Sequence, residues 1–315
     1  MRFDMDAVKW DSEAAKARSA GRYFRKMYFR EVYSNNNDIM KAGAYETASG
    51  RIVAIDNRDM LDGTKVYSAP FVLNGPSGQS DFPRTFAANQ DCIDLAKELA
   101  AEGLTPAVLN LADARIACGF YYRGSSAQEE SLCRRTTLSQ SLYQYYKKDR
   151  AECVSVPFKG KGYPMDIRDG GIYSPKVMVF REGASKDFAL LDNPFFLSFI
   201  SVASLDFNER HGKDLDFMST DGSLSREGLG IMKEKVRTIY RIAAQNGHDA
   251  LVLGAWGCGA FRQDPETVSS LFEEVLHEEE FNGRFHTVCF AILDKDEEMN
   301  PVHKPFYDHF GSISI

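Results

Sequence analysis

The stretch that most constrains the fold runs from Asp249 to Trp256, Asp-Ala-Leu-Val-Leu-Gly-Ala-Trp. Gly257-Cys258-Gly259-Ala260-Phe261 follows at once, and then Asp264-Pro265-Glu266. A nearly continuous apolar run suits a strand covered on both faces, as in parallel or mixed sheets. Asp then Pro opens a helix, because the Asp carboxylate accepts from orphan amides and Pro has no N–H to lose. That helix is expected to reach about Glu279. Strand, small-residue turn and helix in succession make one β–α unit, and the pattern recurs. Asp91 to Glu102 carries Ile93, Leu95, Ala96, Leu99 and Ala100 on one face and is closed by Gly103. Residues 106–110 read as a strand, and Glu130 to Tyr146 as a helix rich in aromatics. Lys176–Phe180, Phe196–Ser204 and Thr287–Leu293 read as further strands. Between Leu224 and Asn246, Leu229, Met232, Val236, Ile239, Ile242 and Ala243 recur every three or four residues until Gly247 stops them. This alternation predicts an α/β layered domain from about residue 85 onward.

The first part of the chain reads differently. Residues 5–42 are largely helical in pattern, with Tyr23, Phe24, Met27, Tyr28 and Val32 on one face and Asn35-Asn36-Asn37 expected to interrupt. Gly43 and Gly50 punctuate a hairpin-like region, and Arg51–Ile55 alternates as a strand. Residues 56–84, rich in Asp, Gly, Pro, Ser and Asn, read as a linker. The expected division is an N-terminal cap or accessory region at 1–84 and a main domain at 85–315.

Charge and composition exclude several classes of function. A formal net charge of −7 argues against a strongly electrostatic nucleic-acid binder, so no sequence-specific nucleic-acid partner is expected. The apolar runs are too short to span a bilayer, so no membrane partner is expected. The first twenty residues are charged throughout and lack the apolar core of a signal peptide. The chain therefore reads as intracellular, cytoplasmic or nuclear, with delivery into another cell left open. Six cysteines, at 92, 118, 133, 153, 258 and 289, form no CxxC pair and read as reduced thiols. No His or Asp cluster has metal-ligand spacing, so neither a metal nor a cofactor is expected. His211, His248, His277, His286, His303 and His309 read as surface or packing residues.

Two loops carry candidate chemistry. The run Ala107-Val108-Leu109 ends at Asn110. After it come Gly119, Gly124, Ser125, Ser126 and Ala127, and then Gln128-Glu129-Glu130. Paired acids at the start of a helix are ordinary, since a helix N-terminus favours negative charge. The turn Gly257–Phe261 has the make-up of an anion site, where small residues let amides approach a phosphate and the following helix adds partial charge. The plainer alternative is a glycine turn that only packs a helix on its sheet. The turn is neither a Walker P-loop nor a dinucleotide fingerprint. Two such loops from one sheet would meet at the strand ends, where α/β proteins bind ligands. Together they suggest a phosphorylated sugar or nucleotide with a bond for an acid to cleave.

The segments LNLADARIACGFYYRGSSAQEESLCRRTTL and ALVLGAWGCGAFRQDPETV resemble the signature segments of the bacterial-type poly(ADP-ribose) glycohydrolases, a branch of the macrodomain superfamily. MKAGAYETASGRIVAI resembles that family's N-terminal cap, and IYSPKVMVFRE and the segment around FAILD have counterparts too. The resemblance covers about residues 20–310. It implies a macrodomain-like α/β fold, a mixed sheet between helices with a mainly helical N-terminal extension, and a cleft for ADP-ribose. It implies a glycosidase-type hydrolase acting on ADP-ribose or on an ADP-ribosylated protein or polymer. Glu130 would be the catalytic acid and Glu129 would hold ribose hydroxyls. Asn110, Cys118, Gly119, Phe120 and Gln128 would contact the ligand. Gly257, Cys258, Gly259, Ala260 and Phe261 would hold the diphosphate, with Phe261 near the ribose. Of two adjacent carboxylates in a partly dry cleft, one holds its proton more easily. The family's glycine triplet falls on Cys118, Gly119 and Phe120, so two glycines are replaced, and Ala117 stands where a proline usually precedes it. Phe120 would narrow the ribose pocket, stack on the ligand or point away. Three activities fit: cleavage of poly(ADP-ribose), removal of single ADP-ribose units from an acceptor, and binding without turnover.

Overall fold

The computed structural model describes residues 22–73, 82–147, 156–293 and 301–312. In chain order its elements are α1 (Arg22–Ala42), β1 (Ala44–Glu46), β2 (Ile52–Ala54), α2 (Arg58–Gly63), β3 (Lys65–Tyr67), β4 (Arg84–Ala88), α3 (Cys92–Ala101), β5 (Pro106–Leu111), α4 (Gln128–Arg135), α5 (Leu138–Tyr143), β6 (Gly171–Arg181), β7 (Leu190–Val202), α6 (Arg226–Gln245), β8 (Ala250–Leu253), α7 (Pro265–Leu276), β9 (Thr287–Ala291) and α8 (Lys304–Phe310). The chain divides into two compact units. One gathers the segment ending at Thr64 with Arg115–Pro164 and Ser174–Phe196. The other gathers Lys65–Ala114, Met165–Tyr173 and the chain from Leu197 onward.

The main sheet is mixed and has the order β3-β6-β7-β5-β8-β9-β4. Strands β7, β5, β8, β9 and β4 pair in parallel, and β3 pairs antiparallel with β6. Side chains alternate between the two faces, as strand geometry requires. Ala107, Leu109, Leu251, Leu253, Val288 and Phe290 point into a core built with α6, α7 and α8. Val108, Val252 and Cys289, one residue out of phase, are fully buried, and α3 contacts these same strands. Covering on both faces explains the unbroken apolar runs. This is the mixed α/β sheet between helices that the sequence led us to expect. Helix α6 is capped by the Ser225 side chain, which accepts from the Gly228 amide, and it buries Ile231, Met232, Val236 and Ile239. No described helix is long and apolar enough to cross a membrane.

Four expectations are corrected. Helix α1 continues through Asn35-Asn36-Asn37; the part expected before residue 22 lies outside the described residues. Asn36 is buried. Its amide donates to the Tyr121 hydroxyl and the Arg134 carbonyl, each at 2.8 Å, and its carbonyl accepts from Arg181 Nε at 2.7 Å. Tertiary bonds thus outweigh a weak helix propensity. Secondly, the helix expected over Glu130–Tyr146 is two helices, α4 and α5. Between them Thr136 is extended and bridges to Val179, while the Thr137 amide donates to the Met178 carbonyl at 3.0 Å. Thirdly, residues 65–67 of the expected linker form the sheet's edge strand. Finally, β8 stops at Leu253, and Trp256 leaves the ladder to donate from its indole to the Val202 carbonyl at 2.9 Å.

Candidate active site

The unit containing α4 holds the acidic half. Glu129 and Glu130 occupy the first turn of α4, yet they are only 3% and 6% exposed. Acids that served only a helix N-terminus would gain nothing by leaving water, so their burial needs a further cause. The loop Cys118–Gly124 is folded against them. The Phe120 amide donates to Glu130 Oε1 at 3.0 Å, which fixes the rotation of that carboxyl. A Cβ built on Gly119 would lie 2.7 Å from Glu130 Oε1 and 3.3 Å from Glu129 Oε2. Gly119 also takes φ +51°, so the contact excludes a side chain and the backbone favours glycine.

Its neighbours need none. Cys118 adopts φ 62° and is fully buried. Its thiol hydrogen-bonds that of Cys133, and burial pushes both thiols up. Phe120 has φ −99°, and its ring carries the Arg123 guanidinium at 5.3 Å. The loop is tied down from below. Tyr121 is buried, accepts from Asn36 and meets Tyr33 edge-on at 4.8 Å. A Cβ on Gly124 would lie 2.3 Å from the Lys26 carbonyl of α1. The N-terminal helix is thus a support for the acidic loop.

The other unit holds the candidate anion turn. Because β7, β5 and β8 are parallel, with Asn110 opposite Ser201 and Val108 opposite Val252, the segments that follow these strands emerge at one sheet edge. Asn110 is fully buried, and its amide donates to Ser201 Oγ at 2.9 Å. After β8 the turn runs through Gly257 (φ +78°) to Arg262 (φ 58°). Four of its carbonyls are engaged. That of Gly257 accepts from the Gln263 amide at 3.0 Å and that of Gly259 from the Arg262 amide at 3.3 Å. That of Ala260 accepts from Asn208 Nδ2 at 2.9 Å, and that of Phe261 from the Phe207 amide at 2.9 Å. The N–H groups of Gly257, Gly259, Ala260 and Phe261 have no acceptor among the described residues. Engaged carbonyls beside amides that have no acceptor among the described residues are what an anion-binding nest requires.

Helix α7 adds less to this site than its position suggests. Asp264 caps it, accepting from the Thr267 amide at 2.9 Å, so its own carboxylate already occupies the positive end. Cys258 is half-buried, donates to the Trp256 carbonyl at 3.6 Å, and is pushed up to about 12 by burial, so it serves as packing rather than as a nucleophile.

The sequence reading missed the buttress beneath this turn. A Cβ on Gly257 would lie 2.3 Å from Ser204 Oγ and 2.7 Å from Gln263 Cγ. Gln263 is buried and donates to the Leu205 carbonyl at 2.7 Å. Ser204, Leu205, Phe207 and Asn208 belong to the loop after β7, which shows no periodicity; only the parallel pairing of β7 with β5 brings it under the turn. The predicted residues therefore fall into two sets. Cys118, Gly119, Phe120, Gln128, Glu129 and Glu130 share one unit, and Asn110 and Gly257–Phe261 share the other.

Residues 34–182 match the family described as microbial-type PARG, catalytic domain. Among solved structures, the poly(ADP-ribose) glycohydrolase (PARG) from Thermomonospora curvata is similar at 26% identity and TM-score 0.69, over 92% of this chain and 100% of that one. The same enzyme bound to the inhibitor ADP-HPD is similar at 28% identity and TM-score 0.68, with the same coverage. The enzyme from Deinococcus radiodurans in complex with ADP-ribose is similar at 28% identity and TM-score 0.60, over 79% of this chain and 94% of that one. No curated protein sequence matches the chain.

Proposed function

From a chain whose residues 34–182 match the family described as microbial-type PARG, catalytic domain, we propose an ADP-ribose glycohydrolase that hydrolyses the glycosidic bond at the distal ribose and releases ADP-ribose. The observation that carries this reading is the pair of buried carboxylates held against Gly119, with Glu130 fixed by the Phe120 amide. Burying two adjacent acids is costly, and such groups concentrate where proton transfer is the task. Breaking the C1″–O bond builds oxocarbenium character on the ribose. Glu130 delivers a proton to the leaving oxygen while water attacks the sugar, and Glu129 holds the ribose hydroxyls. The outward amides of Gly257, Gly259, Ala260 and Phe261 hold the diphosphate, and Asn110 and Gln128 complete the ligand contacts. Binding energy gathered on the phosphates serves to position the scissile bond.

A second reading is removal of single ADP-ribose units from a protein side chain or other acceptor. It is favoured by Phe120, whose ring pairs with Arg123 where a glycine would leave the ligand's surroundings open. Polymer and mono-ADP-ribosylated protein, incubated in parallel with chromatographic measurement of released ADP-ribose, separate the two. Glu130→Gln should abolish release from either substrate, by roughly a thousandfold or more, while calorimetry still detects ADP-ribose binding. Undiminished release by that variant would sink the mechanism.

A further inference from the structure

The loop that supports the turn also carries a histidine and an acid that the reaction above leaves unused. His211 Nδ1 and Asp206 Oδ2 are 2.8 Å apart. The acid is itself held, because Asp206 Oδ1 accepts from the Asn208 amide at 3.1 Å. The backbone of Asp206 is fixed as well, donating to Asp214 Oδ2 at 2.8 Å. The side chain of Asp206 is 11% exposed and that of His211 is 40% exposed. A nearly buried carboxylate thus orients an imidazole that reaches solvent. With Nδ1 committed, Nε2 is the nitrogen left for a ligand, and it has no hydrogen-bond partner among the described residues. The loop bearing this pair is bonded directly to the candidate anion turn, through Phe207 to Phe261 and Asn208 to Ala260. The imidazole stands perpendicular to the Phe261 ring, with centroids 6.5 Å apart. A histidine that only filled surface would need no acid to fix its ring, whereas one that meets a ligand through one nitrogen does.

We infer that His211 is a ligand-contacting, specificity-determining residue, with Asp206 positioning it. Its Nε2 donates to an oxygen of the diphosphate–ribose segment that rests on Gly257–Phe261. This rests on the reading of that turn as the diphosphate site.

The test is calorimetry of the full chain with ADP-ribose, and with adenosine as a ligand lacking phosphate. Wild-type protein, His211→Gln and Asp206→Asn are compared. His211→Gln should bind ADP-ribose roughly tenfold more weakly than the wild-type protein, the worth of one hydrogen bond, with adenosine binding unmoved. Asp206→Asn should weaken ADP-ribose binding in the same direction and leave adenosine binding unmoved. If His211→Gln binds ADP-ribose as the wild-type protein does, the inference is overturned. It is equally overturned if the variant loses adenosine affinity in step, which would mark a structural role. Failure of wild-type protein to bind ADP-ribose would instead remove the reading of the turn, and this inference with it.

Discussion

Gly119→Ala is the most searching perturbation of the acidic loop. The new Cβ would sit 2.7 Å from Glu130 Oε1 and 3.3 Å from Glu129 Oε2. Relief to an ordinary contact moves the Glu130 carboxyl by roughly half an ångström, and a misplacement of about 1 Å in an active site costs on the order of a hundredfold. We expect kcat to fall about ten- to a hundredfold. The left-handed backbone adds a stability cost of about 1–2 kcal/mol, which for a domain of this size lowers Tm by roughly 2–6 °C. The two effects are separable, because Gly103 has φ +91° and no atom within 4 Å of its would-be Cβ. Gly103→Ala bears the backbone cost without touching a carboxylate, so its Tm should fall similarly while kcat stays at the wild-type value. Steady-state release of ADP-ribose and thermal melts on both variants decide the matter. If Gly119→Ala melts earlier but turns over at the full rate, the contact between Gly119 and Glu130 has no part in catalysis.

Phe120→Gly removes one of the two aromatic rings that carry the Arg123 guanidinium; release of ADP-ribose from polymer should rise relative to release from mono-modified protein, and an unchanged ratio would show that Phe120 does not select substrate. Gly257→Ala drives a Cβ to 2.3 Å from Ser204 Oγ and should weaken ADP-ribose binding at least tenfold, as calorimetry would register, because the turn must shift to accommodate it. Burial pushes the Lys235 amine down from 10.5 to about 8. Between those pH values the unfolded chain holds a proton that the folded chain has released, so this group's contribution to stability rises with pH, by about 3 kcal/mol over the window, and is lost as pH falls through 8. The stability difference between wild-type protein and Lys235→Met, followed by urea midpoints at pH 7.5 and pH 10, should therefore shift in favour of the wild-type protein at the higher pH; a constant difference would contradict it.

The layered α/β design was legible because burial on both faces writes itself as apolar runs, and helix α7 announces itself through Asp264 and Pro265. What escaped depends on contacts distant in sequence. Asn36 reads as a helix breaker until Tyr121, Arg134 and Arg181 supply its hydrogen bonds. Thr136 and Thr137 look like the middle of one helix until β6 offers a bridge and a carbonyl. The support of the anion turn by Ser204, Leu205 and Asn208 has no local signal at all, since it follows from β7 lying beside β5. His211 reads as a surface or packing residue, and nothing within the sequence ties it to Asp206 or Phe261.

The altered glycine triplet shows how far a motif constrains chemistry. Three consecutive glycines suggest three equal demands, but the loop makes only one that no other residue can meet. At Gly119 a side chain collides with the carboxylates, whatever its identity. At Cys118 the demand is a left-handed backbone, which a non-glycine residue can adopt at a cost of about 1–2 kcal/mol, and its fully buried thiol is accommodated beside Cys133. At Phe120 the backbone is ordinary, and its amide, which every residue but proline supplies, makes the bond to Glu130. Replacement at the first and third positions leaves the acid's placement intact and changes what surrounds it. The placement of the Glu130 carboxyl and the surroundings it faces are therefore set by different atoms of the same three residues.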